Sequence, residues 1–219
     1  MTEDTQDQSD PRLRRLCYAV IAVAMVVFAL LFLSATSFFW IQLAVSASAL
    51  VLLAFAVERA GMLAALRRMG RHGILWTVLM GLGSAAALYL VFMAGNAASR
   101  AMFSFGGPQI EAVYGLGSET PRWLIAVLLV LVVGPCEELF WRGYVQRRLV
   151  AEFGFPGLVA SVFAYGAAHF VTMNFMMIMA ALVCGSFWAI QYHFFRSLRA
   201  NMISHAAWAA TIFVLLPLH

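Results

Sequence analysis

Long apolar runs separated by short polar stretches make up most of this sequence. Each run comes close to the ~20 residues that a helix needs to cross the ~30 Å hydrocarbon core of a bilayer. The runs are too long and too continuous for the alternating strands of a membrane barrel. We therefore predict an all-α fold, a polytopic transmembrane helix bundle of about seven spans. The predicted spans lie near residues 16–33, 38–57, 74–94, from 121 past 133, 155–171, 175–195 and 201–216.

The polar stretches divide the chain into three parts. Residues 1–15 begin with an acidic polar stretch and are predicted to form a disordered cytoplasmic tail. Residues 16–120 contain the N-terminal helices and an extracytoplasmic loop, and residues 121–219 contain a catalytic-type four-helix core. A cleaved signal peptide is the alternative for the first run, but its length and the apolar segments after it favour a retained helix.

Composition and charge agree with a membrane protein. Of the 219 residues, 63% are hydrophobic and 11% are charged, whereas soluble domains carry about 25% charge. All 14 basic residues are arginines at the ends of apolar runs, which argues against a nucleic-acid partner. With a cytoplasmic N-terminus only Arg100 and Arg122 fall outside, as the positive-inside rule requires. We predict a multi-pass protein of the inner (plasma) membrane in this orientation.

Two adjacent glutamates interrupt the fourth apolar run. Ionisable groups inside membrane helices are unfavourable, so their presence favours a functional site. Glu138 and Arg142 are four residues apart on one helix face and are predicted to pair. Glu137 points about 100° away and keeps a carboxylate that can take and return protons. Gly134-Pro135 just before it predicts a break or kink in the helix.

Two histidines occur in other predicted spans. His169 lies in the fifth and His205 in the seventh, so a bundle could gather both with Glu137 in its interior. For each histidine alone, a hydrogen bond between helices is an equally good interpretation. His193 is assigned to that structural class.

These residues form recognisable motifs. Glu137-Glu138-Leu-Phe-Trp-Arg142 resembles the EExxxR motif of the CAAX-prenyl protease and bacteriocin-processing (CPBP, Abi) family of intramembrane glutamic endopeptidases. Tyr165-Gly-Ala-Ala-His169 resembles the family's FxxxH motif, with tyrosine in place of phenylalanine. The resemblance covers roughly residues 121–216.

The third motif is incomplete. The family has a histidine followed four residues later by asparagine, and here His205 is followed by Ala209. An oxyanion donor is therefore missing at that position, which bears on whether the chain is active. Asn201, one helical turn before His205, and Asn174 are the candidate replacements.

The resemblance implies a role for each matched residue. Glu137 and His169 would activate a water molecule to attack a peptide carbonyl. His205 would stabilise the oxyanion, an effect worth several kcal/mol. Glu138 and Arg142 would support the helix. On this basis we expect an intramembrane endopeptidase without a cofactor.

Other chemistries compete with this interpretation. Glu137, His169 and His205 could bind zinc with an open position for water, although no HExxH motif is present. Cys136 could act as a nucleophile beside Glu137. A non-catalytic immunity or scaffold protein is a third possibility, and a transporter with a proton-relay glutamate is a fourth.

The expected partners are a peptide or membrane-protein substrate and membrane lipid. The sequence names neither the substrate nor the oligomeric state. The all-arginine, alanine-rich composition is typical of a bacterial protein, which makes a prenylated substrate a less favoured choice.

Overall fold

The computed structural model describes residues 11–34, 36–68, 72–117 and 119–218. These residues form helices, and no strand occurs among them. We number the helices in chain order: α1 Pro11–Leu33, α2 Phe39–Val57, α3 Arg59–Arg68, α4 Ile74–Met102, α5 Gly106–Tyr114, α6 Arg122–Phe153, α7 Phe155–Ala167, α8 Phe175–Phe195 and α9 Leu198–Ala210.

Among the described residues, six helical segments are long and apolar enough to cross a membrane. They are α1, α2, α4, α6, α8 and Phe155–Thr172, which is α7 with the short 3-10 turn after it. The predicted fold class, a helical membrane bundle, is confirmed. The seventh predicted span corresponds to α9 and its π-helical extension Thr211–Leu215, and it is less apolar because Arg199, Asn201 and His205 lie in its first half.

Of the predicted break or kink at Gly134-Pro135, the break does not occur, because α6 passes through both residues without interruption. Residues Leu129–Val133 form a π-helical stretch, in which the Gly134 N–H donates to the Leu129 carbonyl five residues back. The wider turn accommodates the proline, which has no N–H and whose ring would collide with an α-helical carbonyl. A second π-helical stretch, Leu139–Gln146, follows the two glutamates.

Helix α9 lies close to its neighbours because small residues face it. A Cβ on Gly134 of α6 would lie 3.0 Å from the backbone nitrogen of Ala206. A Cβ on Gly81 of α4 would lie 2.6 Å from a methyl carbon of Ile203. Glycines at such contacts let membrane helices approach closely. They bring the polar half of α9 against the two glutamates of α6.

Ion pairs join the helices at the end of the bundle formed by the start of α1 and the end of α6. Glu58 is buried and pairs with Arg147, at 2.7 Å, and with Arg148. Arg14 pairs with Glu152 at 2.9 Å. The predicted tail differs here, because α1 already begins at Pro11 and its first turns pack on α6. Residues 1–10 of that tail lie outside the described part of the chain.

Candidate active site

The buried carboxylate of Glu138 is the centre of a polar network. Its Oε1 atom accepts a hydrogen bond from Arg142 Nη1 at 3.0 Å, which confirms the predicted pair. Glu138 is 0% exposed and Arg142 is 2% exposed. Since a buried charge is tolerated only when it is paired and hydrogen-bonded, each of these residues requires the other.

Helix α9 contributes two more donors to the same carboxylate. His205 Nδ1 donates to Glu138 Oε1 at 2.9 Å, and Asn201 Nδ2 donates to Oε2 at 3.1 Å. These contacts do not follow from the sequence, although the spacing of Asn201 and His205 places both on one face of a helix. Because the carboxylate accepts from Nδ1, the proton of this imidazole is fixed on Nδ1 and Nε2 stays available for other chemistry.

A tryptophan holds the His205 ring. The Trp188 ring stacks on it with centroids 3.9 Å apart and an angle of 14° between the planes. Trp188 Nε1 in turn donates to Ser204 Oγ at 3.1 Å, which fixes the indole. The imidazole is therefore restrained at its edge by Glu138 and on its face by Trp188.

The Arg142 guanidinium links three helices. Besides Glu138, it donates through Nη2 to the Gly185 carbonyl of α8 at 3.1 Å. Its central carbon lies 4.9 Å from the Tyr165 ring centroid and 5.6 Å from that of Trp188. A planar guanidinium suits such stacked sites, where lysine would not replace it equivalently.

Glu137 faces away from this network. Its Oε2 atom accepts a hydrogen bond from the Tyr165 hydroxyl at 3.2 Å. In the sequence, Tyr165 is only the aromatic residue of a motif, whereas in the structure its hydroxyl contacts Glu137. The two adjacent glutamates thus have separate surroundings, as their positions on a helix predicted.

His169 follows the last turn of α7. Its Nδ1 donates to the Tyr165 carbonyl at 3.0 Å, so Nε2 is the unprotonated nitrogen of the neutral ring. The ring packs against Phe32 and Tyr165, with centroids 5.4 and 5.3 Å away. Tyr165 therefore positions both residues: its hydroxyl contacts Glu137 and its backbone carbonyl orients His169.

A single cavity of about 300 Å³ is lined by Glu137, His169 and His205 together. Its volume lies at the lower end of the range for small-ligand sites. Aromatic, aliphatic and methionine side chains form most of the wall. The structure thus brings the three residues predicted to be catalytic to one cavity, although they come from three different helical segments.

Residues 119–211 match one protein family, which is described as type II CAAX prenyl endopeptidase Rce1-like. These residues make up less than half of the chain, and we call them the Rce1-like segment because they are similar to this family. The Rce1-like segment contains the whole Glu137, Glu138, Tyr165, His169 and His205 arrangement. The resemblance found in the sequence is thereby confirmed, and the family supports a CAAX-type intramembrane protease. No curated protein and no solved structure matches the chain.

The Rce1-like segment has no obvious replacement for the asparagine missing at position 209. Ala209 lines the cavity with an apolar side chain. Asn201 donates to Glu138 Oε2 and to the Trp188 carbonyl, at 3.1 and 2.8 Å, so both N–H groups of its amide are used. Asn174 caps α8 by accepting from Met177 N and donates to the Gln109 carbonyl. In this arrangement Asn201 is a supporting residue of the network.

The competing chemistries fit the geometry less well. Cys136 contacts Ser48 of α2, with its sulfur 3.8 Å from the hydroxyl, and does not line the cavity. Within the described ranges, no three His, Cys, Asp or Glu side chains form a group that could hold a metal ion. The buried Nδ1 atom of His193 has no hydrogen-bond partner among the described residues, so this nitrogen does not form the predicted interhelical hydrogen bond.

Proposed function

We propose that this chain is an intramembrane endopeptidase in which Glu137 and His169 activate a water molecule. The observation that carries the proposal is the shared cavity: Glu137, His169 and His205 line it together, inside the Rce1-like segment. Most of the cavity wall is apolar, and in such a low-dielectric site a carboxylate and an imidazole interact more strongly with a bound water than they would in bulk water.

The proposed reaction begins with the two residues that Tyr165 positions. The Glu137 carboxylate accepts a proton from water, with the His169 ring as a second acceptor, and the resulting hydroxide adds to the peptide carbonyl carbon. When the tetrahedral intermediate collapses, the C–N bond breaks and Glu137 returns the proton to the leaving amine. No cofactor takes part in this scheme.

His205 is the proposed oxyanion donor. Glu138 and Trp188 hold its ring, and a protonated imidazole would present Nε2–H to the developing negative charge. Removing a single oxyanion donor typically lowers kcat by about 10²–10³-fold. Because Ala209 has no polar side-chain atom, His205 would carry more of this stabilisation here than in relatives with asparagine.

Replacing Glu137 tests the proposal. Glutamine keeps the shape of the side chain and removes its proton-accepting charge. We expect the cleaved termini seen by mass spectrometry of native membranes to disappear in Glu137→Gln, while the protein still accumulates. Glu111→Gln is the matched control, because Glu111 lies exposed on α5 outside the network. Unchanged termini in Glu137→Gln would overturn the protease proposal.

Ala209 favours one second candidate, a non-catalytic membrane immunity or scaffold protein. Such a protein would keep the fold and the buried network but would not need the oxyanion donor. Its biological effect would persist in Glu137→Gln, which separates the two functions in the same experiment.

A further inference from the structure

The cavity occupies only one half of the helix bundle. Phe32 lies in the last turn of α1, Phe39 in the first turn of α2 and Ser99 in the last turns of α4, and all three line it. Met176 in the first turn of α8 and Phe213 after the end of α9 line it as well. The lining residues of these helices therefore lie towards one common end of the bundle.

The opposite end is filled by charged side chains. There, Glu58 pairs with Arg147 and Arg148, and Arg14 pairs with Glu152. Glu137 stands between the two ends, nearly midway along α6. Access to it through the ionic end would require several buried or half-buried ion pairs to separate.

The arginines indicate which end faces the cytoplasm. In the part of the chain that the structure describes, Arg100 and Arg122 are the only two arginines near the cavity end of the bundle, where loops follow α4 and precede α6. The basic residues at the other end are far more numerous, and the positive-inside rule places that end in the cytoplasm. Among the described residues they are Arg12, Arg14, Arg15, Arg59, Arg67, Arg68, Arg147, Arg148, Arg196 and Arg199.

The cavity is also open sideways, between α4 and α8. Val91 of α4 lines it and is 48% exposed, and Met179 and Val183 of α8 line it and are 41% and 36% exposed. These three side chains belong at once to the cavity wall and to the outer surface of the bundle. An apolar segment in the adjacent half of the bilayer could therefore reach Glu137 without crossing the ionic end.

We propose that the substrate is an apolar peptide segment presented at the extracytoplasmic face of the membrane, entering between α4 and α8. The chain would then process exported or membrane-inserted proteins after translocation, and not newly made cytoplasmic tails. That the occupant is a substrate rests on the proposed endopeptidase function. The end of the bundle at which the cavity opens does not depend on that function.

Cysteine labelling tests the side of access without any cleavage assay. Ser99→Cys places a thiol in the cavity wall, Glu119→Cys places one on the loop before α6, and Arg59→Cys places one on α3 at the ionic end. A membrane-impermeant maleimide is applied to spheroplasts and, separately, to inverted membrane vesicles. The wild-type protein gives the background from its own three cysteines.

We expect Ser99→Cys and Glu119→Cys to react in spheroplasts and Arg59→Cys to react only in inverted vesicles. Reaction of Ser99→Cys only in inverted vesicles would overturn the proposal. Failure of Ser99→Cys to react from either side, while the denatured protein reacts, would overturn it too, because the cavity would then be closed.

The same labelling in the Glu137→Gln background separates this inference from the protease proposal. If the cleaved peptide termini are the same in the wild-type protein and in Glu137→Gln but the labelling is as expected, the protease proposal fails and the orientation of the cavity stands. If termini do depend on Glu137, they should map to extracytoplasmic segments of membrane or exported proteins. Termini that map to cytoplasmic tails would contradict the inference while leaving the protease proposal intact.

Discussion

His205 Nδ1 lies 2.9 Å from Oε1 of Glu138, the second glutamate of the motif and not the first. The two adjacent carboxylates therefore have different roles. Glu138 orients an imidazole that lines the cavity, while Glu137 lines the cavity itself and accepts the Tyr165 hydroxyl. Replacing one should affect folding, and replacing the other should affect only chemistry.

Glu138→Gln should destabilise the protein strongly. It leaves the buried Arg142 guanidinium without its counter-charge, and breaking a buried pair in this way costs about 3–5 kcal/mol. Thermal unfolding of the purified protein in detergent measures the effect. Glu111→Gln should change stability by less than about 1 kcal/mol, because its pair with Arg100 is exposed and 3.6 Å long. Equal melting temperatures for the two variants would contradict a structural role for Glu138.

His205→Ala should abolish most cleavage and leave the fold intact. If His205 is the oxyanion donor, we expect a loss of about 10²–10³-fold in kcat with little change in KM. Once the substrate is identified, a purified peptide assay measures both constants. A rise in KM at constant kcat would show that His205 binds the substrate and does not stabilise the transition state.

Ala209→Asn should raise cleavage if His205 is the proposed oxyanion donor. The new amide would line the cavity one turn from His205 and add the donor that the resembled motif has at this position. We expect a gain of about 10-fold or more, up to the ~10²-fold that one donor contributes elsewhere. Ala209→Leu is the control, because it fills similar space without a donor and should lower the rate. A gain in both variants would mean that side-chain size matters at this position, and not hydrogen bonding.

Gly134→Ala should destabilise the packing of α6 on α9. The new Cβ would lie 3.0–3.1 Å from backbone atoms of Ala206, which cannot move as a flexible side chain can. Overpacking of this kind costs about 1–3 kcal/mol. Gly83→Ala on α4 is the matched control, since nothing lies within 4 Å of its new Cβ. The difference between the two melting temperatures isolates the contact.

Much of the fold could be predicted because lipid imposes long apolar helices, and six of the about seven predicted spans correspond to helical segments long and apolar enough to cross a membrane. The Glu138–Arg142 pair was also predictable, because a spacing of four residues fixes which side chains meet on a helix. The family motifs predicted which three residues meet at the cavity, even though they lie far apart in the sequence.

Contacts between distant helices were not predictable in the same way. That His205 contacts Glu138 depends on the depth and rotation of α9 against α6, which glycines and alanines at the contact set. The buried pairs of Glu58 could not be predicted either, because its partners Arg147 and Arg148 lie about 90 residues later in the sequence. The course of α6 through Pro135 also escaped prediction, because proline alone does not reveal a compensating π turn.

The π-helical stretch Leu129–Val133 makes α6 unequally tolerant of changes in length. A π turn holds one residue more than an α turn, so deleting one residue there would return the helix to ordinary α geometry and leave Glu137 facing the cavity. The Pro135 ring would then collide with a carbonyl, so we expect this deletion to be tolerated only together with Pro135→Ala. A deletion within residues 134–136 would instead rotate both glutamates by about 100° relative to the helix before them and should fail. The helix can therefore shorten during evolution only where a π turn and its proline are lost together.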